Sequence, residues 1–249
     1  MTGRYLVADD GTATADRARE WARERSVQDA MPLLAVHVAA ISADADGGDP
    51  GVPGRTRDVI TLTGRVPEAL AAFAAPGDVL VLGTGKTGYV HGRVSGFTSI
   101  QIAARAASAV AVIPDIDLRF RSGVVAGVDE PETAAVIGQA AGREASRRGE
   151  PVQVLHARDP RQSPDGATAV RLAEDAIRRD WPQLAVRGRV AVQPAPDALL
   201  DAARSASLLV IGRGAGDQTA GDAAQLGRVA LAVLMNANVP VLVAHAVRS

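Results

Sequence analysis

Cysteine is absent from all 249 residues, which excludes disulfides, thiolate metal sites and cysteine nucleophiles. Aromatic residues make up only 3%, too few for the stacking platform that single-stranded nucleic acid requires. Charge of one sign is also missing. Lys and Arg number 27 against 28 Asp and Glu, a net charge of −1, with no long run of either sign. No overall field therefore draws the chain to nucleic acid or to an anionic membrane. Long hydrophobic runs are lacking: Val229–Met235, the longest near the end, is far too short to cross a bilayer. The opening Met1-Thr2-Gly3-Arg4 enters a strand directly and lacks the layout of a signal peptide. These absences lead to the expectation of a soluble cytoplasmic protein. What is plentiful is Ala, Val and Leu, within a hydrophobic share of 47% that supports a sizeable core.

The chain repeats itself. "RYLVADD" (Arg4–Asp10) has a partner in "GVVAGVD" (Gly123–Asp129), and "LLAVHVA" (Leu33–Ala39) in "VQVLHA" (Val152–Ala157). "VLVLG" (Val79–Gly83) is matched by "LLVIG" (Leu208–Gly212), and "AVAVIP" (Ala109–Pro114) by "PVLVA" (Pro240–Ala244). The offsets keep the order: 129 − 10 = 119 for the aspartates, 156 − 37 = 119 for the histidines, 212 − 83 = 129 for the glycines and 241 − 110 = 131 for the valines. This is a tandem duplication with insertions in the second copy. The boundary lies in the polar linker Asp115–Ser122, giving domains at 1–118 and 119–249.

Each half alternates strand and helix. In the first, strands are expected at Tyr5–Ala8, Leu33–Val38, Val59–Thr63, Val79–Leu82 and Ala109–Ile113. Helices are expected near Ala13–Arg25, with Thr12 or Thr14 as N-cap, at Pro67–Ala74 and at about Thr98–Ser108. The Gly, Pro and Asp of Ala43–Thr56 make that stretch a loop, where the second half has a helix at Ala167–Arg179. Continuous apolar strands separated by helices imply a parallel sheet covered on both faces. The fold class is therefore α/β: two tandem, doubly wound, Rossmann-like domains of five parallel strands each.

The stretch "LVLGTGKTG" (Leu80–Gly88) ends like a P-loop. With Lys86 as the P-loop lysine, the leading glycine of G-x-x-x-x-G-K-[S/T] falls on Leu80, inside the strand. More glycine follows at Gly88, Gly92 and Gly96, so no helix starts at Lys86, and a P-loop belongs after a first strand rather than a fourth. The better match is a long glycine-punctuated loop closing on a helix near Gly96. Backbone amides of such a loop and the start of the helix favour an anionic group. If strands one and four flank the point where strand order reverses, Asp10 and Gly83 face the same crevice.

On these residues each half resembles a universal stress protein domain, and the chain resembles the tandem form of that family over nearly its whole length. Such domains carry an Asp after strand one, an "LLHV"-like second strand and a G-x2-G-x9-G-[S/T] loop after strand four. Here Asp10 and Asp129 take the first position, "AVHV" and "VLHA" the second, and Gly83 and Gly96 keep the outer loop spacing, 96 − 83 = 13. The resemblance implies an adenine-nucleotide site, with ATP as ligand and magnesium left open. It would be formed by Asp10 and Val38 at the strand ends and by Gly83, Gly85, Lys86, Gly96 and Thr98 of the loop and following helix. The departures are Lys86 where the middle glycine belongs and Phe97 where Ser or Thr belongs, with Thr98 next in line for the hydroxyl role.

The second copy departs further. Gly212 to Gly227 spans 15 positions, two more than the pattern, and Arg228 replaces the Ser or Thr. Gly83–Ser99 holds Lys86 and Arg93 and no acid, a formal +2, whereas Gly212–Val229 balances Arg213 and Arg228 against Asp217 and Asp222. The site of Asp129, Gly212 and Gly227 thus reads as degenerate. No metal site is expected, because His91 and His245 lack partners at ligand spacing and Asp44, Asp46 and Asp49 lack the closing Glu of a calcium loop. His37 and His156 read as packing residues. The resemblance implies a non-catalytic stress-response protein rather than an enzyme. The alternatives are a nucleotide-free interaction module and a slow ATPase, and no positioned base supports the latter. The two copies are expected to pair as an intramolecular pseudo-dimer, or whole chains to pair as a homodimer.

Overall fold

The computed structural model describes residues 3–39, 59–85, 97–158, 166–214 and 225–245. These fall into two compact units, one running through residue 85 and resuming at 97–115, the other starting at residue 116. Among the described residues no helix is long and apolar enough to cross a membrane.

The first unit contains β1 (Tyr5–Ala8), α1 (Ala13–Asp29), β2 (Leu33–Ala39), β3 (Val59–Thr63), α2 (Val66–Phe73), β4 (Val79–Thr84), α3 (Phe97–Arg105) and β5 (Ala109–Pro114). All its strand pairs are parallel, in the order β3-β2-β1-β4-β5. Strand order reverses between β1 and β4, which pair directly through Tyr5↔Val79, Leu6↔Leu80 and Val7↔Val81. The apolar runs form these strands because both sheet faces are covered: Leu6, Val7, Val36, Leu80, Val81, Val110 and Ala111 are fully buried. Thr12 caps α1, its hydroxyl oxygen accepting from the Ala15 amide at 3.3 Å. α1 runs four residues beyond the expected Arg25 and closes on Ala30, which adopts a left-handed φ of 50°. β4 extends two residues past the expected Leu82, so Gly83 and Thr84 belong to the ladder, opposite Ile113 and Pro114.

The second unit contains β6 (Val124–Gly127), α4 (Pro131–Ser146), β7 (Val152–Arg158), α5 (Ala167–Asp180), β8 (Val186–Val192), α6 (Ala195–Ala203), β9 (Leu208–Gly212), α7 (Arg228–Asn236) and β10 (Val241–Ala244). Its order, β8-β7-β6-β9-β10, repeats the first. The extra helix α5 lies flush on α4 because α4 offers glycines there. A Cβ on Gly138 would sit 2.6 Å from the Ala173 carbonyl oxygen, and one on Gly142 would sit 2.4 Å from the Trp181 ring. The matching positions of α1, at an offset of 119, are Arg19 and Arg23, whose bulk and charge forbid such a seat. The expected loop Ala43–Thr56 lies outside the described residues.

One buried polar group stands out. Ser108, at the foot of β5, is 1% exposed, and its hydroxyl has no hydrogen-bond partner among the described residues. The second unit places Val239 there (108 + 131 = 239). An unpaired buried hydroxyl costs about 1–3 kcal/mol, so Ser108→Val is expected to leave the fold intact and raise the stability of the first unit. The urea midpoint measures this; a drop of that midpoint would contradict the assignment.

Candidate functional site

The candidate site lies where the chain leaves β1 and β4 at their carboxyl ends, at the reversal of strand order. Asp9 follows β1 directly and is tied at four points. Its amide donates to the Val36 carbonyl at 2.8 Å, and its carbonyl accepts from His37 Nδ1 at 2.8 Å. One carboxylate oxygen accepts from the Gly11 amide at 3.0 Å, and the other pairs with the Arg19 guanidinium on α1. Since a carbonyl can only accept, His37 carries a proton on Nδ1. His37 therefore holds the end of β1 in place, the packing role expected of it. It sits inside β2, not at its end.

Asp10 comes next and is exposed. Its Oδ1 accepts from both the amide and the hydroxyl of Thr12, at 3.1 and 2.6 Å. Thr12 in turn caps α1, so Asp10 orients the cap without being the cap. Gly11 adopts a φ of 76°, a conformation that suits glycine. Val38, in β2, is half-buried and pairs with Leu62 of β3.

The loop glycines differ in what surrounds them. A Cβ on Gly83 would lie 2.2 Å from the Thr14 carbonyl oxygen and 2.5 Å from its carbon. Gly83 therefore lets α1 rest against β4, and its surroundings are protein backbone. Gly85 differs: a methyl group added to its Cα would meet nothing within 4 Å among the described residues. Thr84 between them is buried at 3% exposure. Lys86 and Gly96 lie outside the described residues. α3 begins at Phe97, one residue before the expected Thr98, and ends at Arg105, before the expected Ser108. Thr98 is exposed in its first turn, while Ser99 behind it is buried.

The second unit keeps the frame and changes the contents. The Val128 amide donates to the Leu155 carbonyl at 3.0 Å, and its carbonyl accepts from His156 Nδ1 at 3.1 Å, as at Asp9. Asp129 is exposed after this point. At the other strand, a Cβ on Gly212 meets, among the described residues, only the Ile137 Cδ1 within close range, at 3.2 Å. The amide of Gly227, which caps α7, donates to the Arg213 carbonyl at 3.0 Å. Gly214, with a φ of 74°, packs so tightly that a Cβ there would lie 3.2 Å from the Gly227 Cα. The amide at the head of α7 is thus engaged by the protein's own chain. Burial, reinforced by the Arg213 charge, holds the His245 imidazole below its ordinary range, and burial also lowers Arg213. Among the described residues no three His, Asp or Glu gather as metal ligands do.

Asp9 and Arg19 escaped the sequence reading, which stopped at Asp10. Their signal was available: at the shared offset of 119 both change together, to Val128 and Gly138.

Comparison with known proteins adds the following. The model of the universal stress protein family matches residues 122–245. A universal stress protein of Mycobacterium tuberculosis is 27% identical over 271 aligned positions, covering 96% of this chain and 82% of that protein. The crystal structure of a universal stress protein from Archaeoglobus fulgidus superposes with a TM-score of 0.69, covers 97% of both chains and is 14% identical.

Proposed function

Because this chain belongs to the universal stress protein family, we propose that its first unit binds an adenine nucleotide, with ATP as the reference ligand, and releases it unchanged. The observation that carries this reading is the direct pairing of β1 with β4 at the point where strand order reverses. In doubly wound sheets ligands enter at that point. Among the described residues, Asp10, Val38, Gly85 and Thr98 would hold the nucleotide. Asp10 offers an anchored acceptor after β1, and Gly85, after β4, has no atom of the described residues within 4 Å of where a Cβ would stand. Asp10 is already engaged by the Thr12 amide and hydroxyl, which suits an oriented acceptor better than a free general base. That engagement supports the reading of binding without turnover.

The second unit is proposed to bind nucleotide weakly or not at all. Its Gly227 amide is occupied by Arg213, its loop is two residues longer and its loop charge is balanced.

Calorimetric titration of the full chain with ATP tests the reading. A single saturable site is expected, and Asp10→Ala is expected to weaken it by roughly ten- to a hundredfold, the loss of one charge-assisted hydrogen bond. Stoichiometry near two, or an affinity unchanged in Asp10→Ala, would overturn the assignment. ADP accumulating in proportion to protein would overturn the absence of turnover and favour the ATPase reading. No heat and no thermal stabilisation at millimolar ATP would favour a nucleotide-free interaction module.

A further inference from the structure

The two copies share a frame but differ at its root. The amide and carbonyl bonds at residues 9 and 128 are the same: Asp9 to Val36 and His37 in one, Val128 to Leu155 and His156 in the other. Both members of the Asp9–Arg19 ion pair, however, are replaced together. The equivalents are 9 + 119 = 128, a valine, and 19 + 119 = 138, a glycine. Gly138 serves another purpose, since α5 rests against it.

The turn above differs in step. In the first copy the Asp9 carboxylate holds the Gly11 amide, and Asp10 holds the Thr12 amide. In the second, Glu130 and Pro131 take the places of Gly11 and Thr12 (12 + 119 = 131). Proline has no N–H, so Asp129 lacks the amide that orients Asp10. The Asp9–Arg19 pair therefore accompanies a formed Asp-Gly-Thr turn and is missing where that turn is missing.

Charge gives the pair a second effect. Asp9 is buried next to Asp10 in the chain, and a bare carboxylate there would repel a phosphate-bearing guest. The Arg19 cation, on the neighbouring turn of α1, cancels it. We infer that Asp9 and Arg19 are positioning residues of the first unit's ligand site: together they pin the turn that presents Asp10 and neutralise the floor under an anionic ligand. This rests on the nucleotide reading above.

The test uses the full-length chain, ATP as probe and selective 15N-glycine labelling. Arg19→Gly removes the Arg19 cation from Asp9 and is expected to lower ATP affinity by about tenfold or more, with a larger loss at low salt, where repulsion is unscreened. Arg19→Lys keeps the charge and is expected to stay within about threefold of the parent. The double variant Asp9→Val with Arg19→Gly copies residues the second unit already folds with, so its melting curve should stay cooperative. It should nevertheless shift the Gly11 amide resonance and lose about tenfold in affinity. A merely structural role would show no salt dependence and no rescue by lysine. Parent-like affinity in both Arg19→Gly and the double variant, while the parent binds ATP, overturns the positioning inference alone. A parent chain that takes up no ATP overturns the nucleotide reading, and an unmoved Gly11 amide in the double variant then overturns the pinning of the turn as well.

Discussion

Gly83→Ala is expected to destabilise the first unit by about 3 kcal/mol, while Gly212→Ala costs under about 1 kcal/mol, although the two glycines occupy equivalent places. The added methyl on Gly83 would meet the Thr14 carbonyl at 2.2 Å, its carbon at 2.5 Å and the Ala15 amide at 3.0 Å. All three are backbone atoms in the first turn of α1, so only a shift of the whole helix relieves the overlap. On Gly212 the nearest atom is the tip of Ile137, at 3.2 Å, and a rotamer change accommodates it. The chain supplies its own reporters, with Trp21 on α1 in the first unit and Trp181 following α5 in the second. In a Trp181→Phe background, fluorescence follows the first unit alone through a urea titration. Equal midpoint shifts for the two alanine variants would refute the packing role of Gly83. The same geometry bears on ligand tests: loss of ATP binding in a Gly83 variant reports a displaced helix, so Asp10 is the cleaner probe.

Asp78→Ala is expected to remove about 3 kcal/mol from the first unit at neutral pH, because it strands a cation and two amides. Asp78 is 4% exposed at the foot of β4. It accepts from the Arg4 amide at 2.9 Å, from Arg4 Nε and Nη2 at 3.2 and 2.7 Å, and from the Ala75 amide at 3.0 Å. Arg4 also lies over the Phe73 ring, 5.2 Å from its centroid. Burial by itself would raise the Asp78 carboxyl. The hydrogen bonds from Arg4 and Ala75, with the Arg4 charge, outweigh it and hold the group below its ordinary value. A carboxyl that is lower in the folded chain than in the unfolded one stabilises fully above the unfolded value of about 3.9 and loses that contribution as pH falls through the folded value. The first unit should therefore weaken on acidification below about pH 4, and Asp78→Asn should flatten that limb. Urea midpoints at neutral and acid pH measure both. An acid limb unchanged in Asp78→Asn would place the sensitivity elsewhere. The second unit fastens the same corner differently: Glu150 accepts from the Gly123 amide at 2.9 Å and from the Ser207 hydroxyl.

Strand identity was legible because parallel strands buried on both faces must be continuous apolar runs, and the repeated landmarks located nearly all of them. Strand order was not, since alternation of strand and helix fits more than one doubly wound order and only the fold pairs β1 with β4. Ends were less legible. β4 continues through Gly83 and Thr84 because β5 offers pairing partners there, which glycine in a sequence argues against. The role of Gly83 was hidden for a similar reason. A glycine beside a glycine-rich loop reads as ligand space, and only the fold brings Thr14 to within 2.2 Å of its missing side chain. Asp10 was visible from its place after the strand. Asp9 was not, since whether a carboxylate turns inward depends on strand parity and on a partner ten residues away on α1.

The histidine tie common to both units has a consequence for how such a chain ages after duplication. His37 and His156 each secure a strand end from inside the sheet, so loss of either penalises folding itself, whatever the crevice holds. The turns above them, Asp-Gly-Thr in one copy and Asp-Glu-Pro in the other, also start α1 and α4, yet they do so with different residues. Inheritance is therefore expected to be stratified by depth. The clasp beneath is expected to outlast the sequence of the turn above it.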